Sequence, residues 1–219
     1  MKVSMIRIFR LKFVAAIAFL SVLGGCSTLG ALGDVSTPLS VYDLRAPADA
    51  PQVQGSPLAR DVTVELPTTS GVLDTDRIMI RPDALQAQYL PDVRWGDEAP
   101  VMMQTLMLRS LENANGLRYV GRRPLAGSSD FAIVTELVDF QAEVGADGLT
   151  TTVTIRMTSR LVREADASIV SSRTFTAEEP ATSSETAAVV DAFDRATDAV
   201  LLDFADWTMS ALGRRLSAS

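Results

Sequence analysis

Three consecutive segments in the second half of the chain alternate apolar and polar residues with the period of a β-strand. They cover residues 131–144, 150–163 and 169–177, and a Gly-Ala-Asp-Gly hairpin signal at 145–148 separates the first two. The first segment predicts one shared apolar face, formed by Val134, Val138, Phe140, Ala142 and Val144. The second predicts a polar face, formed by Thr152, Thr154, Arg156, Thr158 and Arg160. Polar faces so rich in threonine and arginine indicate that these strands line an assembly or a lumen.

Shorter strand patterns occupy the first half of the chain. Strands are predicted at 40–44, 60–66 and 77–81, with a brief one at 85–89. Within the second of these, an alternating apolar face is formed by Val62, Val64 and Leu66. The segment 45–59 is predicted to be a loop or a mobile insertion because turn-forming residues interrupt it, namely Pro47, Pro51, Gly55 and Pro57.

Two segments have the spacing of amphipathic helices. In 98–115, apolar residues recur every three or four positions, at Met103, Leu106, Met107, Leu111 and Ala114. Its methionines fit either core packing or an apolar ligand surface. In 184–213, one stripe is formed by Val189, Phe193, Ala196, Val200, Phe204, Trp207 and Ala211, so Trp207 is predicted to lie in the core. The sequence Thr-Ser-Ser-Glu at 182–185 predicts a capping box at the start of this helix.

The order of these elements predicts the fold class. Apart from the brief segment at 85–89, three strands, a helix, three further strands and a final helix imply an α+β domain. The expected architecture is a two-layer sandwich, in which a mixed or antiparallel sheet carries both helices on one face.

The N-terminus has the three parts of an export signal. The basic residues Lys2, Arg7, Arg10 and Lys12 precede the uncharged run 13–23, which is shorter than the ~20 apolar residues of a spanning helix. The sequence Leu-Gly-Gly-Cys at 23–26 then resembles a bacterial lipobox. We therefore predict a signal peptide at 1–25, a lipidated tether at 26–38 and one domain at 39–219. An ordinary secreted protein or an uncleaved anchor is the alternative.

Cys26 is the predicted site of lipid attachment. It is the single cysteine of the chain, so an intramolecular disulfide cannot form. Because Ser27 follows it, enterobacterial sorting rules would send the protein to the outer membrane, facing the periplasm.

Charge and composition narrow the function classes. The net charge is −7, and removal of the four basic residues of the leader takes it to −11. A net acidic body disfavours nucleic-acid binding. The chain has no histidine and no second cysteine. This excludes catalysis by an imidazole base or a Cys-His pair, and it excludes nearly all kinds of zinc site. The many aspartates and glutamates are scattered as on solvated faces, so we expect no catalytic residue, no metal and no cofactor, and hence no enzyme. An enzyme that uses carboxylates is the alternative.

Several pieces taken in order resemble a known family. They are Val41–Leu44, Val62–Leu66, Arg77–Arg81, Tyr89 ahead of Arg94-Trp95, Pro100 before a helix with Leu106 and Leu111, Asp130-Phe131, Val138–Phe140 and Trp207. This pattern resembles the ABC-type transport auxiliary lipoproteins, the lipoprotein component of MCE-domain lipid transport systems, including the paraquat-inducible type. The chain departs from the family pattern at 45–59 and at 96–99.

The resemblance implies a coupling component. Such a lipoprotein is anchored by lipid in the outer membrane, binds the periplasmic MCE-domain protein of an ABC transporter, and can form a homo-oligomer. Candidate partner-binding residues are Tyr89, Arg94, Trp95, Arg156 and Arg160. The alternative for Tyr89 and Trp95 is that they cap the core, and the alternative for the two strand arginines is a solvated face. A periplasmic lipid carrier and a structural or regulatory envelope lipoprotein are the rival interpretations.

Overall fold

Twelve strands and two helices form the part of the chain that the computed structural model describes, residues 39–48 and 50–217. The helices are α1 (Ala99–Asn113) and α2 (Thr186–Ala211). The strands are β1 (Ser40–Tyr42), β2 (Gln52–Val53), β3 (Leu58–Val64), β4 (Thr68–Thr69), β5 (Met79–Asp83), β6 (Gln86–Tyr89), β7 (Val93–Trp95), β8 (Leu117–Gly121), β9 (Phe131–Val144), β10 (Thr151–Arg163), β11 (Ser168–Pro180) and β12 (Leu216–Ser217).

The long strand β9 organises the main sheet. On one side it pairs with β10, which pairs in turn with β11, and both pairings are antiparallel. On its other side it pairs successively with β3, β4 and β5, all of them parallel to it. The strand β8 lies parallel to β3 on the far side, so α1 serves as the crossover between them.

Both helices cover the same face of this sheet. The helix α2 lies on β10 and β11, α1 lies against β3 and β8, and the helices contact one another. Each helix buries the predicted stripe, including Met103 and Met107 of α1 and Phe193 and Phe204 of α2. The predicted α+β two-layer sandwich is therefore confirmed, and its core lies between the helices and the sheet.

A β-bulge changes which side chains of β9 face the core. Leu137 pairs with Met157 and Asp139 pairs with Arg156, so Val138 is the extra residue. Before the bulge, odd-numbered residues such as Ile133 are buried; after it, Phe140 is buried instead. The prediction that Val134 and Val138 share a face with Phe140 is therefore wrong, because it assumed an uninterrupted alternation.

The strand β3 also differs from its prediction. Val62 and Val64 are fully buried as expected, but Thr63 between them is buried too. Leu66 lies beyond the strand and is 53% exposed, so it does not belong to the predicted apolar face. Thr63 is covered on its side of the sheet by the segment before β9, where its hydroxyl forms a hydrogen bond with that of Ser129 (2.5 Å).

The proline-rich segment is fastened to the domain. The backbone N–H of Val53 donates to the carbonyl of Ala114 (2.9 Å), and that of Leu58 donates to the carbonyl of Gly116 (2.9 Å). The strand β2 also pairs with β12 near the C-terminus. Most of the segment has the irregular backbone that was expected, although β2 and the start of β3 lie within it, and these hydrogen bonds connect it to the rest of the domain.

The start of α2 lacks the predicted capping box. The N-cap residue is Glu185, and its side chain makes no capping hydrogen bond. Ser183 Oγ accepts a hydrogen bond from the backbone N–H of Glu185 instead (3.3 Å). The prediction failed because the helix begins three residues later than the capping pattern required, so that the N-cap is Glu185 and not Thr182.

Candidate interaction surfaces

The main sheet leaves one face of its three long strands free of helices, and we call it the open face. On β10 it carries Thr152, Thr154, Arg156, Thr158 and Arg160, as the alternation predicted. Pairing extends it to Ser172, Thr174 and Thr176 on β11, and to Glu136, Asp139, Gln141 and Glu143 on β9. The open face is thus a broad hydroxyl-rich surface with charges along the β9 side.

Arg156 is held in position on this surface. Its guanidinium forms an ion pair with Asp139 of the neighbouring strand, and its side chain is 48% exposed. The amide nitrogen of Gln141 donates to Asp139 Oδ1 (3.3 Å) and to Glu143 Oε1 (2.9 Å), which links three β9 side chains in a row. Half of the Arg156 side chain therefore remains available to a partner.

Arg160 is placed differently. It lies between Val134 of β9 and Ser172 of β11, and the ion pairs found among the described residues do not include it. One step along the strand, the hydroxyls of Thr158 and Thr174 hydrogen-bond each other (2.9 Å). A half-buried arginine without a carboxylate partner is suited to an incoming acidic group.

Tyr89 and Arg94 lie on short strands before α1. The Tyr89 hydroxyl donates to the carbonyl of Val72 (2.9 Å), the Arg77 guanidinium lies 5.8 Å from its ring centroid, and the residue is 37% exposed. Arg94 donates to Asp76 Oδ2 (3.0 Å) with 38% of its side chain exposed. Both present a partly exposed side chain that internal contacts hold in place.

Trp95 lies in the core. It has no exposed area and packs against Phe140 and Phe193, with ring centroids 5.7 and 5.2 Å away. Of the two interpretations given for Trp95, the structure supports core packing. It therefore does not place Trp95 on a surface with Tyr89 and Arg94.

A charged cluster at the end of the sheet where β3, β8 and β9 begin was not predicted from the sequence. Arg118 of β8 donates through Nε to Asp61 Oδ1 (2.7 Å), and Arg60 pairs with Asp130 (3.2 Å). The hydrogen bond from Arg118 lowers the pKa of Asp61 below its ordinary value. The cluster borders an open cleft of about 490 Å³ and fastens the starts of β3, β8 and β9. Its only sequence signal was the Asp-Phe pair at 130–131.

The described part of the chain contains neither a metal-binding cluster nor a membrane-spanning helix. Across residues 39–48 and 50–217, no three His, Cys, Asp or Glu side chains come together in a metal-binding arrangement. None of the helices described there combines the length and apolar character of a bilayer-crossing helix. The predicted signal peptide, Cys26, Ser27 and the tether lie outside the described residues.

Comparisons with known proteins give one family and several related folds. The sequence model of a family described as the ABC-type transport auxiliary lipoprotein component matches residues 42–205. An uncharacterized protein of Bradyrhizobium diazoefficiens is 27% identical over 171 residues, which are 78% of this chain and 45% of that protein. This chain thus spans less than half the length of that relative.

Solved structures support the same architecture. A crystal structure of a protein from Xanthomonas campestris has 26% identity and a TM-score of 0.66, and the match covers 80% of this chain and 94% of that one. A crystal structure of an uncharacterized protein has 16% identity and a TM-score of 0.60, covering 78% and 98% of the two chains. The second likeness concerns the fold alone.

Proposed function

The chain belongs to the family of ABC-type transport auxiliary lipoprotein components, and from this membership we propose that it couples a periplasmic MCE-domain protein to the outer membrane. The observation that carries the proposal is the family match over residues 42–205, which takes in nearly all of the described domain. In the proposed arrangement, lipid on Cys26 holds the domain at the periplasmic side of the outer membrane, and a surface of the domain binds the MCE-domain protein.

The chemistry of the chain supports a binding role in preference to catalysis. The chain has no histidine, lipidation would consume its single cysteine, and its sequence contains no recognised nucleophile motif. The open face instead offers hydroxyls and arginines on rigid strands, which suit recognition of another protein. We therefore propose that the protein works as a binding component and not as an enzyme.

The proposed contact comprises four of the five residues selected from the sequence. Arg156 and Arg160 lie on the open face, while Tyr89 and Arg94 lie on β6 and β7. Arginine is favoured at interfaces because its planar guanidinium is weakly hydrated and bonds through a fork. Trp95 is left out because its side chain has no exposed area.

Capture of the MCE-domain protein by the lipidated protein tests this contact. We expect Arg160→Glu and Arg94→Glu each to weaken capture at least tenfold, because a repulsive charge replaces a favourable one, equivalent to about 1.4 kcal/mol. The matched control is Arg109→Glu, an exposed arginine on the helix side of the domain. If all three variants fold by circular dichroism and capture the partner like wild type, these residues are not the contact.

The anchor is tested separately. In cells fed a radioactive fatty acid, wild type should carry the label and Cys26→Ser should not. Fractionation on a density gradient should place wild type in the outer-membrane band. Label on the Cys26→Ser variant would refute this attachment site, and wild type in the inner-membrane band would refute the assigned membrane.

The rival carrier role receives no support from the methionines. Met103 and Met107, which could have lined a lipid cavity, are fully buried in the shared core. A homo-oligomer that uses the open face remains part of the proposal, and light scattering of the purified protein would measure its size. Stoichiometric lipid in the purified domain, together with failure to capture the MCE protein, would favour a carrier instead.

A further inference from the structure

Two hairpin tips expose a leucine each. Leu85, between β5 and β6, is 97% exposed, and Leu149, between β9 and β10, is 80% exposed. These are the two most exposed large hydrophobic side chains among the described residues. A single exposed leucine is ordinary on a protein surface, so the inference depends on what the two tips share.

The two tips have the same turn. Asp83 Oδ1 accepts the backbone N–H groups of Leu85 (2.9 Å) and Gln86 (3.0 Å). Asp147 Oδ1 accepts those of Leu149 (2.9 Å) and Thr150 (3.0 Å) in the same way. In each turn the aspartate therefore satisfies the backbone amides of the tip and holds the leucine two residues later outward. These backbone hydrogen bonds also lower the pKa of Asp147.

The tips leave the same end of the sheet side by side. The strands β5 and β9 are parallel neighbours, with Ile80 opposite Ala142 and Arg81 opposite Glu143. Each strand then continues into its own tip, so both leucines lie beyond the same end of the sheet. An open cleft of about 420 Å³ between the hairpins is lined by polar residues such as Arg81, Asp83 and Glu143.

We propose that Leu85 and Leu149 dip together into the surface of the bilayer that carries the anchor. The inference rests on the proposed anchor at Cys26. Residues 26–38 can span at most ~45 Å when fully extended, and they lead into β1. The strand β1 pairs with β7, whose Trp95 packs on Phe140. Phe140 lies in the half of β9 that leads to the tips. The tips thus lie within reach of the membrane.

The anchor makes so small an apolar contact sufficient. Two leucines alone would bind a bilayer weakly, but a tethered domain meets the surface at a high effective concentration. Insertion would fix the orientation of the domain and direct the end with Arg60, Arg118 and Asp130 away from the membrane. Beside the tips the carboxylates of Asp83, Glu143 and Asp147 outnumber the single arginine, Arg81, so zwitterionic lipid is favoured over anionic lipid.

Hydrogen exchange on vesicles tests the inference independently of lipidation in the cell. The unlipidated chain from Cys26 onward is coupled through that thiol to a maleimide lipid in phosphatidylcholine vesicles, and its exchange is compared with that of the uncoupled chain. We expect amides at 83–86 and 147–150 to exchange several-fold more slowly on the vesicle, and amides in the loop 122–130 to be unchanged.

Substitutions identify the cause of this protection. Leu85→Ser with Leu149→Ser should abolish it while the chain stays coupled, whereas Leu125→Ser, at a 67% exposed leucine in the loop 122–130, should preserve it. Equal exchange in coupled and uncoupled wild type would overturn the inference, even in cells that lipidate Cys26. Protection that appears only when a protein partner is added would overturn it too, in favour of a protein contact.

Discussion

The two ends of α2 each hold a tryptophan against the sheet, but by different means. Near its start, Phe193 packs with Trp95 and Phe140, with ring centroids 5.0–5.7 Å apart. Near its end, Phe204 packs with Trp207 and Phe175, with centroids 5.6–6.3 Å apart. We call these the first and second aromatic triads. They lie about 16 Å apart along the helix.

The triads differ in whether the indole N–H of the tryptophan has a hydrogen-bond acceptor. Trp95 is fully buried, and its Nε1 has no hydrogen-bond partner among the described residues. Trp207 is 7% exposed, and its Nε1 donates to Ser171 Oγ on the outer strand β11 (2.9 Å). The first triad therefore consists of ring packing, with no polar contact to its indole among the described residues. The second combines looser packing with one polar contact at the sheet edge.

The largest effect is expected from Trp95→Ala. Truncation of a fully buried tryptophan leaves a cavity that the neighbouring rings cannot fill, at a cost of about 3–5 kcal/mol in the free energy of unfolding. Chemical denaturation of the variant and of wild type measures this difference. A loss below about 1 kcal/mol would show that the first triad collapses into the space, and the contrast between the triads would fail.

Trp207→Ala should destabilise the domain less than Trp95→Ala. The loss should fall near 3 kcal/mol, at the lower end of the range for such truncations, because Trp207 is at the edge of the core and its truncation removes a looser packing contact. The same denaturation experiment gives the ranking. If Trp207→Ala proves the more damaging of the two, the hydrogen bond to Ser171 matters more than packing density.

The triads also show what sequence patterns can and cannot predict. Trp207 was predicted correctly because it repeats on a long helical stripe with Phe193 and Phe204. The place of Trp95 stayed open because β7 has three residues, too few to show an alternation, and distant segments on β1, β9 and α2 bury it.

The same distinction holds for the candidate surfaces. Arg156 and Arg160 were placed on the open face by their own strand, in which each residue predicts the side of its neighbours. The bulge at Val138 and the Asp61–Arg118 pair depend on the register between separate segments, so a single strand pattern could not reveal them. Lipidation of Cys26 stays a prediction from the sequence alone.

A smaller effect should follow from Ser171→Ala, which isolates the polar contact of the second triad. Loss of the hydroxyl leaves the indole N–H of Trp207 without its acceptor while the rings keep their packing. We expect a destabilisation of about 0.5–1.5 kcal/mol. Ser172→Ala, an exposed serine on the opposite face of β11, is the matched control and should be close to neutral. Equal effects of the two would mean that the hydrogen bond contributes nothing.

The smallest expected effect concerns Asp198, which lies on α2 between the two triads. Burial raises its pKa above the ordinary value, and the negative charge of Asp194 one turn earlier raises it further. Because folding raises this pKa, the folded domain binds the proton more tightly than the unfolded chain does. The free energy of unfolding therefore falls as the pH rises through the window above 3.8. Asp198→Asn should therefore stabilise the domain at pH 7, by no more than about 0.5 kcal/mol because solvent screens a group this exposed.

The pH dependence of Asp198→Asn distinguishes this cause from altered packing. At pH 3 the Asp198 carboxyl of the wild-type chain is largely protonated in the folded and in the unfolded state. The stabilisation by Asp198→Asn seen at pH 7 should therefore disappear there. Asp206→Asn, at an exposed position of the same helix, controls for the change of residue type. Because Asp198 lies between the triads, hydrogen exchange at pH 7 should slow equally beside Trp95 and beside Trp207. Slower exchange at one end only would show that α2 does not unfold as a unit and that the two triads are energetically independent.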